Sequence, residues 1–443
     1  MTSLNVLVYP HAMEIGGSQL NAIDLAAAVR DLGHRVVVLS EPGPLVDRVQ
    51  RVGLEHLPLP GRRRRPSPAV ATRLRTLIRV RGLDVVHGYE WPPGLESYAG
   101  CAGGRAAAVC TVMSMAVAPF LPGRLPLVVG TRALQRHTAA RRPGPVHLIE
   151  PPVDVVENAP GHPAEDFRAR YGLHGSPGQP PPLLLAVVCR LVSELKLEGV
   201  LTAVEAVGRL AREHPVRLVV VGDGPARGVV EEQARRANAT AGVPAVVLTG
   251  ELHDPRPAYA AADVLLGMGG SALRALAFGR PLVVQGERGF WQLLTPQTCP
   301  TFLEQGWYGI GDGTGGADRL AGILRRLIGD PALRTSLGRY GRELAVDRFS
   351  LQRAARVQEE IYRSALAARH GGPGSLARAT DGLRCAGGLA AYKLRRRYER
   401  LRGTATRDDF NAAVLAQAAV STAPEPTGSL DALDGTQCTQ RGA

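Results

Sequence analysis

NVLVYPHAMEIGGSQLNAIDLAAAVRDLGHRVVVLS, residues 5–40, holds one complete folding unit. Asn5–Tyr9 and Arg35–Ser40 are short Val- and Leu-rich runs, apolar through most of their length, as strands covered on both faces require. Between them Leu20, Ile23, Leu25, Val29 and Leu32 fall at near-helical spacing, and Gly33 stops the helix. Gly16-Gly17-Ser18-Gln19 makes the turn from strand to helix. Strand, glycine turn, helix, strand predicts the βαβ unit of a doubly wound sheet.

The alternation continues outward. Asp84–Gly88, Ala107–Val112 and Leu127–Gly130 are further strand candidates, and the chain then turns dense in Pro and Gly from Pro151 to Pro182. A second alternating run follows, with strands expected at Leu183–Cys189, Arg217–Gly222, Ala245–Thr249, Asp263–Leu266 and Pro281–Gln285. Helices are expected at Glu198–Glu213, Arg227–Asn238, Ser271–Phe278 and Asp318–Ile328. The reading is an α/β chain of two Rossmann-like doubly wound domains facing a central cleft, with a helical C-terminal extension. The expected boundaries are 1–150 for the first domain, 151–181 for a linker and 182–349 for the second domain. A helix over 350–369 is expected to return toward the first domain, and 370–443 to form a basic helical segment with a disordered tail.

Composition narrows the class. In 443 residues, 45% are apolar and 21% charged, which is ordinary for a globular protein and excludes a collagen-like or wholly disordered chain. Apolar stretches are interrupted by Arg, Pro or Gly before reaching the length of a membrane span. The cysteines at 101, 110, 189, 299, 385 and 438 form no Cys-x-x-Cys pair, so neither a zinc site nor a disulfide framework is expected. The first residues lack a basic start followed by an apolar run, so no secretory signal is read and a cytoplasmic setting is expected. The net charge of +13 is concentrated in residues 61–81 and 392–407. Lysine occurs only at 196 and 393, every other basic residue being arginine.

Two glycine-led helix starts carry chemistry. One is Gly16-Gly17; the other is Gly267-Met268-Gly269-Gly270-Ser271, directly after a strand. Glycine there lets backbone approach a ligand, and the open amides favour an anion such as phosphate. Arg190 and Lys196 follow the first strand of the second domain, where ligands of open α/β sheets bind. A planar guanidinium and a compact ammonium together suit a diphosphate.

The ordered set of segments from PHAMEIGGSQL through DVVHGYE, EPPVD, CRLVSELKLEG, VVVGDGP, LTGELHDPRPAYAAADVLL and GMGGSALRALAFGRPLVV resembles glycosyltransferase family 4. The resemblance implies the GT-B fold and a retaining, metal-independent enzyme that takes a sugar from a nucleotide diphosphate. It implies that Arg190 and Lys196 are catalytic, binding the diphosphate and stabilising charge on the departing nucleotide. Donor contacts are implied at Gly16, Gly17, Gly222, Glu251, Leu252, Gly269, Gly270, Ser271, Ala272, Leu273 and Arg274. His11, Ser18, Gln19 and His87 are candidates on the acceptor side. No metal ligand and no cofactor is expected, the nucleotide sugar being a co-substrate.

Three positions depart from the family pattern. Leu266 and Arg274 stand where glutamates are usual, and Met113 where many members have histidine. Arginine cannot accept a proton from a ribose hydroxyl, and methionine moves no proton. Sugar transfer is therefore read beside an alternative, an impaired homologue that binds nucleotide sugar or a partner. Expected acceptors are lipid-linked, cell-envelope or small-molecule; nucleic acid is not expected. Arg62-Arg65 and Lys393-Arg402 are read as contacts for an anionic, inner-face membrane surface.

Overall fold

The computed structural model describes residues 2–61, 63–175, 181–370 and 375–404. The first domain carries strands β1 (Asn5–Tyr9), β2 (Arg35–Ser40), β3 (Glu55–Pro58), β4 (Val85–Tyr89), β5 (Ala107–Val112), β6 (Leu127–Val129) and β7 (Val146–Leu148). Its helices are α1 (Gly17–Asp31), α2 (Val46–Arg51), α3 (Pro68–Arg81), α4 (Trp91–Cys101) and α5 (Arg132–Ala139). The sheet is parallel throughout, in the order β3-β2-β1-β4-β5-β6-β7.

After α6 (Glu165–Arg170) the second domain repeats the plan with β8 (Leu183–Val188), β9 (Val216–Val221), β10 (Val246–Gly250), β11 (Val264–Gly267), β12 (Leu282–Gln285) and β13 (Trp291–Leu293). Its helices are α7 (Leu197–Leu210), α8 (Arg227–Ala241), α9 (Arg256–Ala261), α10 (Gly269–Ala277), α11 (Cys299–Gln305), α12 (Gly316–Gly329) and α13 (Pro331–Phe349). The order is β10-β9-β8-β11-β12-β13, with only β13 antiparallel to its neighbour. Two helices, α14 (Leu351–His370) and α15 (Ser375–Leu401), complete the described chain.

Each sheet is packed on both faces, which is why its central strands read as unbroken apolar runs. Val6, Val8, Val38, Val85 and Val109 face one layer of the first domain; Leu7, Leu39, Val86 and Cys110 face the other. Local signals set helix ends. Ser67 accepts the amide of Val70 at the start of α3, Pro68 fixes the first turn, and Gly82 closes it at φ +62°.

β3, β7 and β13 are absent from the sequence reading. All three are short and lie toward or at sheet edges, where no continuous apolar run is needed. α14 belongs to the first domain's core. Ala355, Ile361, Tyr362 and Ala365 pack with Ile23, Val29 and Val85. α13 leads into it from the second domain, where Arg342 donates to the carbonyls of Val155 (2.9 Å), Asn158 (3.0 Å) and Ala277 (2.7 Å).

The arginine run after Gly61 is not a free cationic patch. Arg62 lies outside the described residues. Arg63 and Arg65 turn inward to the carboxylate of Glu41, and Arg63 also reaches the hydroxyl of Tyr9. That hydroxyl donates to Glu96 at 2.5 Å, and the other Glu96 oxygen accepts the amide of Ser67 at 2.5 Å. Of the four arginines in the expected membrane contact, Arg63 and Arg65 instead stitch the loop onto β1 and the end of β2, while Arg64 is exposed.

Candidate active site

In a sheet of this order the loops after the first and fourth strands leave in opposite directions and open a crevice. In the second domain those strands are β8 and β11, paired with Val187 opposite Leu266. β8 delivers the loop bearing Arg190 and Lys196, and β11 delivers Met268 and the start of α10. The expected phosphate residues therefore share one edge of one sheet. That edge faces the first domain: Arg51 at the end of α2 lies 3.1 Å from the ring of His253 in the loop after β10. Farther along, Arg136 of α5 pairs with Glu304 of α11.

The Arg190 loop is shaped by backbone packing. Cys189 N donates to Val221 O at 3.0 Å and Leu191 N to Asp223 O at 2.9 Å. Gly222, at φ +134°, lies so close that an added Cβ would stand 1.9 Å from Cys189 O. Gly222 supports this loop: the carbonyl of Cys189 fills its side-chain space, and it packs against the stretch of chain that presents Arg190. Arg190 is exposed, and its guanidinium makes no hydrogen bond or ion pair with another described residue.

Lys196 is half-buried at the N-terminal boundary of α7. The residue before it, Leu195, has φ +66°, a conformation costly for a branched side chain. Burial pushes the neighbouring Cys189 thiol up to about 11, and the Lys196 ammonium pulls the other way. Glu198 does not neutralise this lysine. Its carboxylate accepts the amides of Arg288 (2.9 Å) and Gly289 (2.6 Å) instead.

At the start of α10, Gly269 N donates to Trp307 O at 2.8 Å. The Ser271 hydroxyl accepts from Met268 N at 3.2 Å and donates to Met268 O at 2.9 Å, so it caps the helix. Nothing lies within 4 Å of an added Cβ at Gly270, so backbone is open to a ligand there. Ala272 and Leu273 are buried, which leaves only their backbone to offer. Glu251 is exposed and Leu252 half-buried in the loop after β10, beside Gly222, whose amide donates to Gly250 O at 2.9 Å.

Arg274 is half-buried, and its charge acts on two groups. One is the buried hydroxyl of Tyr259, pushed up to about 12 by its surroundings, against which the guanidinium acts. The other is Asp24 of α1, across the cleft. Burial holds the Asp24 carboxyl above its ordinary value, although Arg48, at 2.6 Å, and Arg274 both favour its ionised form.

On the first domain, Gly16 is extended (φ −161°), and a Cβ there would fall 2.5 Å from the Gln19 amide oxygen. Gly17 is exposed with open space around it. Gln19 Nε2 lies 3.2 Å from His11 Nε2, while the shielded Ser18 hydroxyl has no hydrogen-bond partner among the described residues. These five positions gather at the β1 tip.

His87 does not join them. It is 1% exposed, with Nδ1 2.7 Å from the Tyr362 hydroxyl and Nε2 2.7 Å from Thr111 Oγ1. Burial drops its pKa to about 3, so the ring is neutral. Its acceptor-side assignment is corrected because β4 runs on to Tyr89 and α14 seals the ring from above.

Glu90 was missed. It sits at the β4 tip with φ +67°, 8% exposed, and its carboxylate accepts the Met113 amide and the Ser114 hydroxyl, each at 2.9 Å. A carboxylate directly after a strand and two residues ahead of Pro92-Pro93 was the available signal. Met113, at the expected histidine position, is held by its backbone rather than its side chain.

The family model described as Glycosyltransferase Family 4 matches residues 15–157, and that described as Glycosyl transferases group 1 matches residues 182–306. A 2-deoxystreptamine glucosyltransferase from Streptomyces kanamyceticus is 32% identical over 222 residues, 48% of this chain and 52% of that protein. The match thus spans about half the length of that curated relative. A glycosyltransferase from Rickettsia africae superposes with a TM-score of 0.67 at 16% identity, covering 83% of this chain and 99% of the other. Anabaena Alr3699/HepE gives 0.63 and 16% identity in complex with UDP, covering 82% and 100%, and 0.61 in complex with UDP-glucose, covering 81% and 99%. These likenesses establish the two-domain GT-B fold.

Proposed function

Because the chain belongs with the GT-B proteins of glycosyltransferase family 4 type, we propose that it moves a sugar from a nucleotide-diphosphate donor to an acceptor, with retained configuration and without a metal. One observation carries the reading. An exposed guanidinium, an ammonium and the open start of α10 share the β8/β11 edge, and neither cation has an acidic partner among the described residues. As the bond from sugar to phosphate breaks, negative charge collects on the departing diphosphate. Arg190, Lys196 and the α10 amides are the groups that would take it, and fixed donors act most strongly where charge develops.

Donor chemistry of this kind is supported by the UDP and UDP-glucose held by the Anabaena protein. The acceptor would enter past Gly17, Ser18 and Gln19 at the β1 tip. We further propose a lipid-linked, cell-envelope or small-molecule acceptor and a cytoplasmic setting.

The test is thermal shift with a panel of nucleotides and nucleotide sugars, followed by nucleotide release with each stabilising donor. Selective stabilisation by one base, with release in the presence of acceptor, is the expected result. The same assay on Arg274→Glu separates the alternative. Release by the variant alone means that the native chain binds without turning over.

A further inference from the structure

α15 packs on the first domain by one face only. Asp381 accepts the amides of Gly123 (2.7 Å) and Arg124 (3.1 Å), and Tyr392 joins Trp91 and Phe120 with ring centroids 5.9 and 5.0 Å away. Cys385 and Leu389 lie on this same inner face. Residues 381, 385, 389 and 392 follow helical spacing, so the opposite face looks outward.

An outward face is ordinarily polar, and this one is not. Leu383 is 74%, Leu394 68%, Tyr398 52% and Leu401 81% exposed. Leu394, Tyr398 and Leu401 follow i, i+4, i+7, and Leu383, eleven residues earlier, falls on the same line. The stripe runs about 27 Å at the helical rise of ~1.5 Å per residue. Exposed cations border it: Lys393 and Arg397 on one flank and Arg402 on the other, its guanidinium 4.5 Å from the Tyr398 ring centroid.

We propose that this face of α15 lies flat on an anionic bilayer, its leucines and tyrosine entering the headgroup boundary and its flanking cations reaching lipid phosphates. An apolar stripe between cationic flanks is the arrangement of an interfacial helix. Charge decides against a second copy, because two such faces would bring like charges together. No helix among the described residues is long and apolar enough to cross a membrane, so the contact is with the surface. With Arg63 and Arg65 spent inside the first domain, the contact rests on α15.

The full chain is sedimented with vesicles of phosphatidylcholine, with and without about one-third phosphatidylglycerol, at about 50 mM and about 500 mM salt. Binding to the anionic vesicles at low salt, at least tenfold weaker at high salt or on neutral vesicles, is expected. Leu394→Glu with Leu401→Glu, both exposed, should weaken binding at least tenfold with an unchanged melting temperature. Arg397→Gln with Arg402→Gln should weaken it severalfold and flatten the salt dependence. Absence of binding at low salt overturns the proposal, as does equal binding by the leucine variant. A concentration-dependent dimer abolished by that variant overturns it too, by giving the stripe to a second copy. Sugar transfer plays no part in this readout, so it stands or falls separately.

Discussion

The two strand tips that face each other across the cleft are built on opposite principles. At the first domain's tip, charged groups are matched: Glu90 holds the chain after β5, and Glu41 takes two arginines. At the second domain's tip, Arg190 and Lys196 have no counter-charge among the described residues, and the glycines present bare backbone. A surface that keeps two cations unpaired over an open helix start is prepared for an anion. One whose charges are already matched is prepared to hold shape.

Removing the unpaired charges should break the contrast most strongly. Lys196→Ala with Arg190→Ala is expected to reduce nucleotide release by about 10³-fold or more, roughly 4 kcal/mol of transition-state stabilisation, with little change in melting temperature. Steady-state kinetics with saturating donor would show it, and a loss below tenfold would mean that these cations do not meet the diphosphate.

The matched tip should answer in stability instead. Arg63, whose side chain is 9% exposed, bridges Glu41 and Tyr9. Arg63→Ala leaves buried polar groups without their partner and should cost about 3 kcal/mol in denaturant unfolding. Donor affinity should stay within about twofold, since the donor edge lies on the other domain.

The smallest effect sharpens the comparison through pH. His87 is held neutral by burial, with a pKa near 3 against about 6.5 in an unfolded chain. Between those values the unfolded state binds the extra proton, so this group's contribution to stability falls as pH drops from about 6.5 toward 3. The slope is at most about 1.4 kcal/mol per pH unit. His87→Gln should flatten that part of the stability curve, read from unfolding midpoints at several pH values.

Much of this was legible in the residues and some was not, for definite reasons. Central strands announced themselves because both faces are covered, whereas β3 and β13 lie at edges where that demand lapses. The Arg190 and Lys196 loop could be placed because strand tips carry ligands in this architecture. The fate of Arg63 could not, since a row of arginines does not say which will turn inward until Glu41 and Tyr9 are brought beside it. His87 misled because the ring that covers it, Tyr362, lies 275 residues further along.

The return of α14 has a bearing on how the protein is made. A ribosome emits β1 through β7 long before residue 351, so the first domain waits, with Val85 and His87 uncovered, until the second domain has been synthesised. Its final side-chain packing is therefore withheld until the second domain's sequence is complete, and the half that emerges first is the half that finishes last.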